Sequence, residues 1–285
     1  MIGSRLDRKR FVGILMTMTM AVLNSGVRPA DAQVTVAPVV IHLAEPERFA
    51  TFTVENGSAV AQEVTLEFRF GYPSSDSLGN IKMVYDDSAS AEQFSMAAWA
   101  RAFPRRFVLG AGQRQLVRLT VRPPQRLANG VHWTRLVTSS LPQLPPIDSI
   151  ATGVTAQIDI RLQQVTTVLY RRGPAQTDLE IGPIAVREDS TRTGLLIGLK
   201  RTGIAPFLGS VGLRVIDSRG ESVHESLEVT SVYFSVTKRF DLPRGRLTPG
   251  TYTAEVRAVA ERADMPSDVL FRMAPVVVRT QFSVP

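Results

Sequence analysis

Residues 155–170 read TAQIDIRLQQVTTVLY. In the first half Ile158, Ile160 and Leu162 alternate with Gln157, Asp159, Arg161 and Gln163. This period of two puts apolar side chains on one face of a β-strand and polar ones on the other. A strand with one apolar face must have it covered, either by the core of its own sandwich or by another chain added at a sheet edge. Periodicity alone fits both.

The same alternation recurs along the chain. Ala50, Phe52 and Val54 precede the turn Asn56-Gly57-Ser58, and Val64, Leu66, Phe68, Phe70 and Tyr72 follow it with strict period two. Phe107 to Leu109, Val117 to Val121 and Val131 to Val137 are further candidate strands, with Gly110-Ala111-Gly112 read as a hairpin turn. Residues 73–96 form a polar insertion, too long for a tight hairpin, that either carries a small edge strand (IKMVY) or is mobile. The only helical periodicity is a patch around Ala89 to Arg101. Arg171-Arg172-Gly173-Pro174 breaks the pattern, and a second block follows with strands around Leu195–Leu199, Val211–Val215, Tyr252–Ala258 and the terminal APVVVRTQFSV. The fold class expected is all-β, with two antiparallel immunoglobulin-like β-sandwiches over 33–172 and 173–285. Closed barrels satisfy the same periodicity.

The first 32 residues read as a cleaved secretory signal: a basic head with Arg5, Arg8, Lys9 and Arg10, an apolar run from Phe11 to Leu23, and Ala30-Asp31-Ala32 before the expected cleavage at Gln33. Removing them takes five of the 33 basic residues and two of the 26 acidic ones, so the net charge falls from +7 to about +4. That balance argues against nucleic acid as a partner. No later run is long and apolar enough for a membrane helix, so the exported protein is not expected to be membrane-embedded. The sequence has no cysteine, which excludes disulfides, zinc-thiolate sites and thiol catalysis.

Enzymatic signatures are missing as well. His42, His132 and His224 fit no metal-ligand spacing, there is no G-x-S-x-G elbow, and the paired acids Asp86-Asp87 and Glu261 with Asp264 sit in polar loops. No enzyme activity, cofactor or metal is therefore expected. Asn56-Gly57-Ser58 also matches a glycosylation acceptor, but its role as a turn accounts for it.

Between residues 34 and 172 the motifs run VTVAPVVIHL, ATFTVEN, a tryptophan, FPRRFVLGAGQRQLVRL, LANGVHWTRL, a proline cluster and a long strand closing on VLYRR. This order resembles the N-terminal domain of the PapD-like periplasmic pilus chaperones, and RLTPGTYTA in the second block is compatible with their C-terminal domain. The resemblance implies an ATP-independent periplasmic chaperone that lends an edge strand to fimbrial or other exported β-rich subunits. Ile158, Ile160 and Leu162 would fill the client's groove, and an outer-membrane usher would be a second partner. The family grips its client's terminal carboxylate with a basic pair, whose positions fall here at Val39 and Thr167. The anchor is then another base (Arg161, Arg171 and Arg172 are candidates), or the client is held without one, or the fold serves another partner. Arg118 matches the family's structural arginine near the domain interface, while the acid expected to face it falls near Val131. The alternative reading is an exported structural or adhesive protein of two immunoglobulin-like modules. In either reading an uncovered edge is open to self-association.

Overall fold

The computed structural model describes residues 34–143 and 161–284. The signal segment, Ile158 and Ile160 lie outside the described residues. Two β-sandwiches follow one another along the chain, and neither is a closed barrel. In the first, β1 (Val34–Ala37), β3 (Phe49–Asn56), β9 (Arg114–Val121) and β7 (Ala100–Phe103) form one sheet in the order β1-β3-β9-β7. The facing sheet runs β2-β11-β10-β4-β8, from β2 (Val40–Ala44), β11 (Leu162–Arg172), β10 (Gly130–Pro142), β4 (Gln62–Arg69) and β8 (Arg106–Leu109). The chain changes sheets between β1 and β2 at Pro38, which has no N–H to give a ladder. The buried alternate residues of both sheets, Phe52, Val54, Val64, Leu66, Val117, Leu119 and Val168 among them, make the first core.

Gly110-Ala111-Gly112 does not close a hairpin. β8 pairs with β4 and β9 with β3, so the segment crosses between sheets, as does Asn56-Gly57-Ser58. Asn56 clamps both crossings from a fully buried position. Its Nδ2 donates to the carbonyls of Val60 (2.8 Å), Leu109 (3.0 Å) and Gly110 (3.0 Å), and its Oδ1 accepts from Ser58 N–H (3.0 Å) and Oγ (2.7 Å).

The insertion at 73–96 is ordered into a hairpin, β5 (Tyr72–Ser75) with β6 (Ile81–Val84), and a short helix, α1 (Ser88–Phe94). The helix ends well before Arg101, because Ala100–Phe103 is a strand of the first sandwich. Asp87 caps α1 by accepting from Ser90 N–H (2.9 Å) and also accepts from the Tyr72 hydroxyl (2.7 Å), tying helix to hairpin. Burial and this hydrogen bond push the Tyr72 hydroxyl up to about 12. Phe70 and Tyr72, which period two aligns with Val64 and Leu66, leave that face because β4 stops at Arg69 and the chain turns at Gly71. A Cβ at Gly71 would lie 2.6 Å from the Tyr85 ring, so only glycine lets the two segments approach.

The second sandwich has seven strands. β12 (Leu179–Glu188), β13 (Arg192–Arg201) and β16 (Ser235–Pro243) form one sheet. β15 (Ser222–Val232), β14 (Phe207–Ile216), β17 (Gly250–Val259) and β18 (Val276–Val284) form the other, in that order. First, second and fifth strands together opposite fourth, third, sixth and seventh is an immunoglobulin-like arrangement. Its corner is closed at the start of β17, where the Tyr252 hydroxyl donates to the Thr248 carbonyl (2.9 Å). The first sandwich has the same device at the start of β10, with a histidine in the tyrosine's place: His132 Nε2 lies 3.2 Å from the Ala128 carbonyl, again four residues back.

β10 is buried on both faces, and this is what joins the halves. Leu136 points into the first core, while Val131 and Trp133 point the other way. There they meet Phe70 and Leu169 of the first sandwich and Ala205, Leu208, Tyr233, Met265 and Phe271 of the second. Trp133 lies at the middle, with ring centroids 4.8 Å from Phe94, 4.9 Å from Tyr233, 5.6 Å from Phe70 and 5.8 Å from Phe234. Such pairs add stabilisation beyond their buried area. The seam is therefore an apolar core in its own right.

Candidate functional site

β11 begins at Leu162, and its pairing differs along its length. One side is hydrogen-bonded to β10 throughout, from Ser140↔Leu162 to Gly130↔Arg172. On the other side β2 runs parallel to it, but only from Thr167 to Arg171. The strand is thus an interior one over its second half and, among the described residues, an unpaired edge from Leu162 to Thr166. Val168 and Tyr170 face the first core and Leu169 faces the seam, so the second half is covered on both faces as well. Along the free half Leu162 is 42% exposed and Val165 38%, and Val39, immediately before β2, is also exposed.

At the positions where the resemblance puts a basic pair, Val39 and Thr167, neither side chain is charged. A base does stand beside them. Arg135 lies directly across the ladder from Thr167 and donates through Nη1 to its hydroxyl. Nε donates to the Gly71 carbonyl (2.9 Å), and the guanidinium carbon sits 4.6 Å from the centre of the Tyr233 ring. The side chain is only 5% exposed, and Nη2 has no hydrogen-bond partner among the described residues. A buried cation held by neutral groups retains capacity to bind an anion. No motif singles out Arg135, although an arginine inside the run VHWTRLV is itself a signal: a strand buried on both faces places a charge there only with a specific set of partners.

The other arginines divide. Arg172 is engaged in structure, donating to the Leu127 carbonyl (2.7 Å) and lying 3.6 Å from Glu45, so it secures the loop before β10. Arg171 is half-buried next to His42, and Arg161 is exposed just before β11 begins. Arg118 does not lie near the seam. It projects from the outer face of the opposite sheet, with its guanidinium 5.0 Å from the centre of the Phe49 ring, because it alternates with the core residues Val117 and Leu119. Val131, near which the position of the acid expected to face Arg118 falls, is buried in the seam.

His42 and His132 are both held below the ordinary histidine range. For each the main cause is burial; Arg171 adds to it at His42, against the opposing pull of Glu47 and Asp268. At His132 the Ala128 carbonyl opposes the shift and Arg172 adds to it. A histidine with a depressed folded value lends stability that is fully present above its unfolded value, about 6.5, and is lost as pH falls toward the folded value. The urea midpoint is expected to drop between pH 7 and pH 5, and His132→Tyr, which keeps a corner donor but does not titrate in this range, should reduce the drop. A midpoint flat over that range in the native chain would contradict this.

No family model matches the sequence, and no curated protein matches it. By structure, the two-sandwich chain is similar to the YadV chaperone, at 9% identity over 89% of this chain and 100% of that one, with a TM-score of 0.46. It is also similar to the CsuC–CsuE chaperone–tip adhesion subunit pre-assembly complex of Acinetobacter baumannii, at 10% identity over 87% and 98%, TM-score 0.45. A third is the class 5 fimbriae chaperone CfaA, at 12% identity over 88% and 99%, TM-score 0.43.

Proposed function

We infer that this chain is a strand-lending chaperone that works without ATP on β-rich exported subunits of the pilus type, after residues 1–32 have directed it to the periplasm and been removed. The observation that carries this reading is the side of β11 from Leu162 to Thr166, which has no partner strand among the described residues and is flanked by exposed Leu162, Val165 and Val39. A partner strand laid there gains main-chain hydrogen bonds and covers apolar side chains, each contributing roughly 1.5–3 kcal/mol when fully buried, before the cost of association. Ile158 and Ile160 extend the same alternation upstream of the described edge. Arg135, across the ladder from Thr167, is the base beside these positions and would meet a client's carboxylate once its enclosed Nη2 is uncovered, while Arg161 is exposed and Arg172 is already engaged. An outer-membrane usher is the acceptor to which a loaded client would pass.

The test uses a small exported β-subunit co-expressed with the chaperone. Because both side chains are already exposed, Leu162→Asp and Val165→Asp should shift stability by no more than about 0.5 kcal/mol while abolishing recovery of a stoichiometric complex. Amide exchange at 162–166 should slow when the complex forms. Arg135→Met, which replaces a buried charge by an apolar side chain of similar length, should fold at least as well and bind the client more weakly. If Leu162→Asp unfolds the protein, or if both aspartate variants retain the client, the chain is not a strand lender, and a structural or adhesive role takes its place.

A further inference from the structure

The stretch from Arg101 to Arg122 contains six arginines and no acidic residue, whereas the whole sequence carries a net charge of only +7. These 22 residues hold more positive charge than the net of about +4 estimated for residues 33–285, so the rest of that segment is slightly acidic. The fold gathers much of this charge on one surface. On the outer face of the β1-β3-β9-β7 sheet, Arg118 stands across from Phe103, Arg101 shares a row with Thr120 and Phe49, and Leu116 lies next along β9. Phe103 is 79% exposed, Leu116 62% and Phe49 60%. Among the described residues Arg114 is paired with Glu55, while Arg101 and Arg118 have no ion-pair partner. Phe103 stands at the end of β7, where the segment RAFPRRF turns into β8.

We propose that this face docks on an anionic phospholipid bilayer. Three features favour a membrane as the occupant. The face is one side of a sheet and so broad enough to meet a surface, its unpaired charges Arg101 and Arg118 are positive while its carboxylate Glu55 is paired with Arg114, and its large apolar groups are aromatic or aliphatic side chains set among arginines. That combination suits the headgroup level, where guanidinium groups meet phosphates and phenyl rings enter the acyl boundary. The proposal is independent of strand lending, since the face lies on the sheet opposite β11.

The experiment is co-sedimentation of the chain from Gln33 onward with vesicles. Every core residue described lies within Val34–Val284, so this chain keeps the fold. Vesicles of phosphatidylcholine with about 30% phosphatidylglycerol should bind it at least tenfold more tightly than phosphatidylcholine alone, and added salt should weaken the binding. Arg101→Glu with Arg118→Glu, and separately Phe103→Ser with Leu116→Ser, should each lose about tenfold or more with unchanged unfolding midpoints, because all four side chains point outward. Thr51→Glu, also outward-facing, supplies a third variant that removes no side-chain contact to the core. Equal binding to both vesicles, or unaltered binding by all variants, would overturn the proposal. So would salt-sensitive binding to polyglutamate or duplex DNA through the same arginines without vesicle binding, which would assign the face to an acidic protein or a nucleic acid.

Discussion

Trp133→Ala is expected to lower the free energy of unfolding by about 3–5 kcal/mol and to split one cooperative transition into two. Trp133 is fully buried, and its ring meets aromatic partners from both sandwiches: Phe94 and Phe70 on one side of the seam, Tyr233 and Phe234 on the other. Truncation opens a cavity at the centre of the apolar contact that makes the two halves unfold together. Urea unfolding followed by circular dichroism and by the fluorescence of Trp99, in the first sandwich, should give coincident curves for the native chain and separated curves for the variant. Curves that stay coincident with a loss below about 1 kcal/mol would mean that the halves are coupled elsewhere. The cation over Tyr233 would be the next place to look.

The second large effect is Asn56→Ala, expected to cost about 3 kcal/mol or more. One buried amide accepts from Ser58 and shares its two hydrogens among three main-chain carbonyls at the two points where the chain passes between sheets. Each hydrogen bond contributes about 0.5–1.5 kcal/mol, and each buried carbonyl left alone adds a penalty of about 1–3 kcal/mol. Asn56→Asp keeps the size and the acceptor oxygen but turns a donor toward three carbonyls into a repelling charge, so it should be at least as damaging. Ser58→Ala removes only the neighbouring hydroxyl and should cost about 1 kcal/mol. If the denaturation midpoint of Asn56→Asp matches that of the native chain, the amide is not the clamp.

Strand identity was legible wherever one face is apolar and the other polar, as in Ala50–Val54, Val117–Val121 and Tyr252–Ala258. Sheet membership was not. Asn56-Gly57-Ser58 and Gly110-Ala111-Gly112 have the composition of hairpin turns, and nothing local to them says that the next strand joins the opposite sheet. The seam was hidden for a related reason. A strand covered on both faces has no alternation to read, so Trp133 and Arg135 looked like ordinary strand residues. The candidate site was half legible: Leu162 belongs to the edge, but the same alternation says nothing of where β2 begins to pair, and that decides which part of β11 is open. The arginine next to Thr167 comes from the neighbouring strand, at a separation in sequence that no motif spans.

The crossing at Pro38 has a consequence for any visiting strand. β2 cannot start before the chain has left the other sheet, so its pairing with β11 reaches back only to Thr167, whose N–H donates to the Val39 carbonyl (3.2 Å). Between there and Leu162 the described part of the open ladder is about 17 Å long at the usual rise per residue. A guest entering in line with β2 would run into exposed Val39 and stop. One proline's place in the sequence thus acts as a stop, fixing where along β11 the open side ends and how far a guest can advance on it.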